Sequence, residues 1–191
     1  MQLYFYFDQG MCIACNTCRV SCKDYNGVGP GPVSWRKVST VTSGSGSTLK
    51  AYNMTLACNH CSEPACVDAC PQKAIYKDEK TGAVMINRKI CINVLDCIGA
   101  CPYGAISVAS APQEASMLGD AVVHHPAQKC HLCHERLAEG KKTACVDACI
   151  MRALDIGTKA ELEAKYGSLS AEAPGFVYKS TKPNILFKSK P

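Results

Sequence analysis

Fifteen cysteines fall into four tight groups along this chain. The first is CIACNTCRVSC, with Cys12, Cys15, Cys18 and Cys22. The second is CNHCSEPACVDACP, with Cys58, Cys61, Cys66 and Cys70. The third, CINVLDCIGACP, holds Cys91, Cys97 and Cys101, and the fourth, CHLCHERLAEGKKTACVDAC, holds Cys130, Cys133, Cys145 and Cys149. Together the groups account for every cysteine. Thiols bunched at two-residue intervals bind metal. In the run C-x2-C-x2-C-x3-C-P, three cysteines wrap one iron–sulfur cubane and the fourth, on the following turn, points to a second cluster. Groups of this kind exchange their fourth ligands in pairs, so four groups imply two two-cluster modules and four cluster sites. The third group departs from the run: it reads Cys91-x5-Cys97-x3-Cys101-Pro102, with Val94 where a second cysteine belongs.

Other cysteine chemistries fit less well. Structural zinc wants four ligands in two separated pairs, not three or four cysteines packed in one run. The fourth group, where 11 residues separate Cys133 from Cys145, comes nearest to that pattern. Disulfides are favoured in short secreted chains, and adjacent thiols in such tight loops cannot all find partners at acceptable geometry. The start, MQLYFYFDQGMC, shows no basic segment followed by an apolar stretch. No run approaches the roughly 18 apolar residues of a membrane helix. The expectation is a chain folded in the reducing cytoplasm, carried elsewhere only with an exported partner. The formal charge of +5 does not argue for nucleic acid: basic residues are scattered, with no aromatic-interleaved patch. Four oxidised clusters at about −2 each contribute roughly −8, which the basic side chains offset in part.

The elements that must position these cysteines are short. The hexapeptide ACVDAC recurs at 65–70 and 144–149, arguing for duplicated units. Helical turns are expected across the x3 segments, and strands at LYFYF, AVMIN and AISVA. Ala69, Ala100 and Ala148 precede the last cysteine of three groups, where backbone must come close to a cluster. NGVGPGPVSW, TSGSGST and ASAPQEASMLGDAVVHHPAQ read as linkers or surface loops, the last as a partner contact. TKAELEAKYG reads as a helix with Thr158 as N-cap, Glu161 closing a capping box and Gly167 as its stop, followed by a polar extended tail. His60, His131 and His134 adjoin cluster cysteines without being expected as ligands; His124 and His125 read as a solvated pair; Trp35 and Tyr25 read as packing anchors.

With all four groups in view, the chain resembles the iron–sulfur (beta) subunits of the dimethyl sulfoxide reductase family of molybdopterin oxidoreductases. The resemblance covers nearly the whole chain and rests on the first group followed by KDYN, then CNHCSEPAC, ERLAEGKK and TKPNI. It implies an α+β fold of two ferredoxin-like two-cluster modules, one inserted in the other, with long surface loops. The outer module would be 1–50 and 108–158, the inserted one 51–107, with the C-terminal helix and tail at 159–191. It also implies the ligand sets. Cys12, Cys15 and Cys18 with Cys149 would hold one [4Fe–4S] cluster, and Cys130, Cys133 and Cys145 with Cys22 a second. Cys58, Cys61 and Cys66 with Cys101 would hold a third. Cys91 and Cys97 with Cys70 remain for the Val94 site.

Related nitrate reductase beta subunits carry tryptophan at the place of Val94, and their cluster there is [3Fe–4S]. The expectation is therefore three [4Fe–4S] clusters and one [3Fe–4S], at a raised potential. The alternatives are a fourth [4Fe–4S] completed by Asp96 or water, and an empty site. Ile150, where a proline is expected, is a smaller departure. The subunit would do no substrate chemistry. It would pass electrons between a molybdopterin (Mo or W) catalytic subunit and a membrane quinone-reactive anchor or other redox partner, with the Val94 site nearest the quinone side. A free-standing polyferredoxin is the competing reading.

Overall fold

A computed structural model describes residues 1–109, 113 and 126–190. The strand β1 (Tyr4–Asp8) leads into the first cysteine loop and helix α1 (Thr17–Tyr25). A hairpin of β2 (Lys37–Ser43) and β3 (Lys50–Leu56) follows, then α2 (Ala65–Asp68), a short hairpin of β4 (Ile75–Lys77) and β5 (Val84–Ile86), and α3 (Asp96–Ala100). The chain continues through α4 (His134–Ala138), α5 (Ala144–Asp147), β6 (Leu154–Gly157), α6 (Lys159–Tyr166) and β7 (Ile185–Lys188). The architecture is α+β.

One sheet, in the order β6-β1-β7, unites both ends of the chain. Strand β1 pairs antiparallel with β6 (Phe5 opposite Ile156, Phe7 opposite Leu154) and parallel with β7 (Phe5 opposite Ile185, Phe7 opposite Phe187). Period-2 alternation sends Phe5 and Phe7 to one face and Tyr6 to the other. The first face, with Phe176, Ile185 and Phe187, forms the main core, which also takes in Cys18, Cys22, Cys58, Cys130, Cys145 and Cys149. On the opposite face Tyr6 packs with Leu162 and Leu186 and stacks on Tyr166 of α6, ring centroids 3.8 Å apart. Helix α6 is fixed by the capping box of Thr158 and Glu161, and ends at Gly167 with φ 81°. Asp155 anchors it to β6, accepting hydrogen bonds from Lys165 Nζ (2.8 Å), the Tyr166 hydroxyl (2.7 Å) and the Ile156 N–H (2.8 Å). A smaller apolar cluster of Ile75, Val84, Cys97, Ile106 and Ala127 lies beside the β4–β5 hairpin.

The strands at LYFYF and AVMIN form at β1 and β5, and the x3 segments run through α1, α2, α3 and α5. Three expectations need correction. AISVA makes no strand: Ser107 alone pairs, with Gln128. TSGSGST is an exposed surface loop as expected, forming the turn of the β2–β3 hairpin, where Ser43 faces Lys50. Because β2 is exposed along almost its full length, its sequence shows no alternation of apolar and polar residues. The tail includes β7, whose apolar Ile185, Leu186 and Phe187 are masked in sequence by flanking lysines. Within NGVGPGPVSW, Val28, Ser34 and Trp35 are buried, so that segment is more than a surface loop. His124 and His125, with most of their segment, lie outside the described residues.

Candidate iron–sulfur sites

Each cysteine group begins with the same backbone device. Two residues after the first cysteine a non-glycine residue adopts the left-handed conformation: Ala14 (φ 55°), His60 (φ 45°), Asn93 (φ 62°) and Leu132 (φ 59°). Such residues cost of order 1–3 kcal/mol each and persist only where their surroundings over-determine them. The return is a loop that curls its thiols and N–H groups inward, a nest suited to an anion. The first and third groups match further: both have a second left-handed residue, Asn16 (φ 63°) and Leu95 (φ 72°), four places after the first cysteine. Val94 therefore occupies the position in its loop that Cys15 holds in the first. Both side chains lie toward the rim, Cys15 exposed and Val94 49% exposed.

A second device closes three of the groups. After Cys70, Cys101 and Cys149 the chain turns through a left-handed residue at the third place, Lys73, Gly104 and Arg152, with φ of 52°, 55° and 51°. This aims the next N–H back at the sulfur. Ala74 N–H donates to Cys70 Sγ (3.3 Å), Ala105 N–H to Cys101 Sγ (3.4 Å) and Ala153 N–H to Cys149 Sγ (3.3 Å). After Cys22 helix α1 runs on, and the same place is taken by a side chain. Asn26 Nδ2 donates to the Cys22 carbonyl (2.7 Å) and reaches Cys22 Sγ (3.7 Å). Hydroxyls of Thr17, Thr55 and Thr143 lie 3.3–3.4 Å from Cys15, Cys18 and Cys145.

All fifteen cysteines are free thiols. The fold brings cysteines from distant parts of the chain within electrostatic reach of one another, in sets that overlap. Cys12 is in electrostatic reach of Cys18, Cys149 and Cys15. Cys22 neighbours Cys145 and Cys133, and Cys130 neighbours Cys22, Cys133 and Cys145. Cys66 neighbours Cys58, Cys101 and Cys61, and Cys97 neighbours Cys91 and Cys70. Adjacent sets touch in sequence: Cys18 lies near Cys145, Cys130 near Cys58, and Cys66, Cys70, Cys97 and Cys101 share the smaller apolar cluster. Helix α1 packs on α5 and α2 on α3. Cavities open at the two outermost sets. One, of about 340 Å³ including its mouth, is lined by Cys12, Cys15, Cys18 and Cys149. The other, of about 380 Å³, is lined by Cys70, Cys91, Cys97, Val94 and Asp96.

The electrostatics fit an anionic, metal-bearing group. Burial first, and then neighbouring thiols, push Cys22 and Cys66 up to about 12; burial raises Cys133 to about 11 and also lifts Cys130 well above the ordinary thiol value. Thiols held this way become thiolates when a cation takes the proton's place. Around them, buried donors lack acceptors among the described residues: Arg36 Nε and Nη2, Asn59 Nδ2, Gln128 Nε2 and His60 Nε2. His60 Nδ1 accepts the Val84 N–H (2.9 Å), so Nε2 carries the ring's proton. Donors without acceptors, aligned with thiols that need metal, are what a sulfide-rich cluster satisfies. The histidines beside cysteines are built into this frame. His131 Nε2 is 2.6 Å from Asn26 Oδ1, and its Nδ1 3.2 Å from His134 Nδ1. Trp35 is an anchor, its Nε1 donating to Gln128 (2.9 Å), while Tyr25 lies under the Arg136 guanidinium.

A family model described as a 4Fe-4S dicluster domain matches residues 49–159. The B subunit of the anaerobic dimethyl sulfoxide reductase of Escherichia coli is 38% identical over 98% of this chain and 88% of its own length. The chain belongs to the iron–sulfur subunits of the dimethyl sulfoxide reductase family. The corresponding subunit of Haemophilus influenzae is 37% identical over 98% of this chain and 89% of its own length. Protein NrfC of Escherichia coli is 30% identical over 93% and 76%, respectively. Members of this family are electron-transfer subunits of multi-subunit reductases, and iron–sulfur clusters are their cofactors. Among the described residues no helix is long and apolar enough to cross a membrane.

Reading by spacing missed the residues around the thiols. The closing turn left a signal, Cys-x3-Ala after Cys70, Cys101 and Cys149, with Asn26 at the same distance from Cys22. Arg36, Thr55 and Lys129 left none, because a lone polar residue outside the cysteine spacing looks like surface until the fold buries it.

Proposed function

We propose that this chain is a four-cluster electron wire between a molybdopterin (Mo or W) catalytic subunit and a membrane anchor or other redox partner. Cys12, Cys15, Cys18 and Cys149 hold one [4Fe–4S] cluster, Cys22, Cys130, Cys133 and Cys145 a second, and Cys58, Cys61, Cys66 and Cys101 a third. Cys70, Cys91 and Cys97 hold a [3Fe–4S] cluster beneath Val94. The observation that carries the reading is the serial contact of four thiol sets, from the Cys12 set to the Cys97 set. A wire needs neighbouring centres and a docking surface at each end. Exposed apolar side chains accompany both terminal groups: Met11, Ile13, Val20 and Ile150 next to the cysteines of one, and Ile90, Ile92 and Val94 next to those of the other.

The two-module architecture goes with this assignment, the first and fourth groups forming an outer ferredoxin-like module and residues 51–107 an inserted one. The packing of α1 on α5 and of α2 on α3 supports it, while the β2–β3 hairpin straddles the junction at residue 50. The three-iron assignment is supported by the matched loops. Val94 takes the place of Cys15 and brings no donor atom, and Asp96 opens α3 beside Cys97 instead of standing in that place. The test is low-temperature EPR of the anaerobically purified, mildly oxidised protein, with iron and sulfide counted on the same sample. Oxidised cubanes are silent, so the expected result is one near-stoichiometric signal close to the free-electron position, lost in Val94→Cys. Silence with a full iron count overturns the three-iron assignment. Zinc without acid-labile sulfide overturns the wire.

A further inference from the structure

The two thiol sets nearest the central sheet share a neighbour that no cysteine pattern announces. Arg36 is 2% exposed in the main core. Its guanidinium lies over the ring of Phe5, 4.7 Å from the centroid. Nη1 is 3.3 Å from Thr55 Oγ1, which itself stands 3.4 Å from Cys18 Sγ. Since Thr55 accepts from Arg36, its hydroxyl proton is free to donate to the sulfur. The remaining donors, Nε and Nη2, have no acceptor, and no carboxylate pairs with Arg36 among the described residues. Cys18, Cys22, Cys130 and Cys145 are buried in the same core as the Phe5 ring beneath the guanidinium, and they are its largest favourable electrostatic partners. These belong to two sets: Cys18 to the first, the other three to the second.

A guanidinium does not lose its proton, and an unpaired charge is not tolerated in an apolar core. The compensating negative charge has to come from the thiolates and clusters on either side.

We propose that Arg36 is a fixed cation shared by the Cys12 and Cys22 cluster sites, setting their reduction potentials above those of the same cysteine loops without it. The inference rests on the cluster assignment of the proposed function. Adding an electron to a cluster makes it more negative, and a nearby positive charge favours that state, so removing the charge lowers the potential. Nε and Nη2 supply the hydrogen bonds to sulfur that act in the same direction. The sets of Cys58 and Cys97 are not among its largest electrostatic partners and serve as internal references.

The experiment is an EPR-monitored potentiometric titration of the assembled wild-type protein, Arg36→Gln and Arg36→Lys. In Arg36→Gln, two of the four centres should fall by at least a tenfold change in their reduction equilibrium, which is 59 mV for a one-electron couple. The other two should move less than threefold, and Arg36→Lys should recover more than half of the loss. Equal movement of all four centres, or none, overturns the assignment. If Arg36→Gln fails to load iron, pulsed EPR on wild-type protein labelled with ¹⁵N-arginine decides: nitrogen coupling to two centres supports the shared cation and its absence overturns it. A wild-type sample lacking these centres defeats the cluster reading itself, which is distinguishable from a normal sample in which Arg36 has no effect.

Discussion

The sites around Cys12 and Cys97 are built on the same loop, with left-handed residues in the same two places, yet they stand in different surroundings. Near the first, the three-stranded sheet, Arg36 and the Thr55 hydroxyl supply a rigid wall with a buried charge and donors. The second rests on the three-residue strands of the β4–β5 hairpin, in a cavity whose wall includes Ile75, Ile86, Ile92 and Leu95. Lys129, buried between Cys130 and the Cys66 set, bonds to the carbonyls of Cys130 and Val84 and stops short of that last site. The backbone fixes which atoms can meet iron, whereas the wall fixes how readily the site takes an electron. A sequence motif reports only the first.

The contrast can be broken or sharpened by substitution. The largest effect belongs to the ligands. Cys130→Ser removes a fully buried thiol at the meeting point of two sets, so iron and sulfide should fall by at least one cluster's worth and reduction by the partner should be lost. Cys91→Ser should remove the oxidised-state EPR signal alone, leaving the cubanes near the sheet intact when reduced. If Cys91→Ser also empties those sites, the two ends are less independent than their walls suggest.

A smaller effect tests the sheet. In Asp155, burial raises the carboxyl's pKa, but the bonds from Lys165, Tyr166, the Ile156 N–H and Lys142 prevail and hold it well below the usual carboxylate range. A depressed carboxylate stabilises the fold fully above its unfolded pKa of 3.8, and that contribution is lost as pH falls below it. Asp155→Asn should cost about 2 kcal/mol at neutral pH, measured by denaturant titration of the loaded protein. It should also flatten the acid limb of the stability profile. The clusters beside the sheet should be released before the Cys97 cluster; simultaneous release would contradict separate bracing.

The smallest effect compares the closing turns. Gly104→Ala forces a side chain into a left-handed position and should destabilise by about 1 kcal/mol. Arg152→Gly relieves the same strain in the turn after Cys149 and should stabilise by up to about 1 kcal/mol, read from the thermal midpoint. Equal effects of the same sign would mean that the three turns are not equivalent.

Much of this organisation was legible in sequence because ligand spacing is local. The four groups, the helical x3 turns and the capped α6 are each written within a few adjacent residues. What was not legible depends on distant parts of the chain. β7 hides an apolar triplet between lysines, and β2 is a strand only because β3 returns beside it. Arg36 would be a solvated side chain were it not covered by Phe5 and by thiols from both sides of the fold. Val94 was legible as a gap at the place Cys15 holds in the first group, and the backbone angles of both loops match that alignment.

The sheet order β6-β1-β7 also bears on biogenesis. Strand β1 is synthesised well before its partners, residues 154–157 and 185–188. Until residues 185–188 have been made, β1 lacks one of its two partners and the wall behind the first cysteine loop cannot close. Late closure gives the cell a point at which loading can be completed before the site is sealed, and leaves an unloaded chain with its thiols exposed to oxidation or proteolysis.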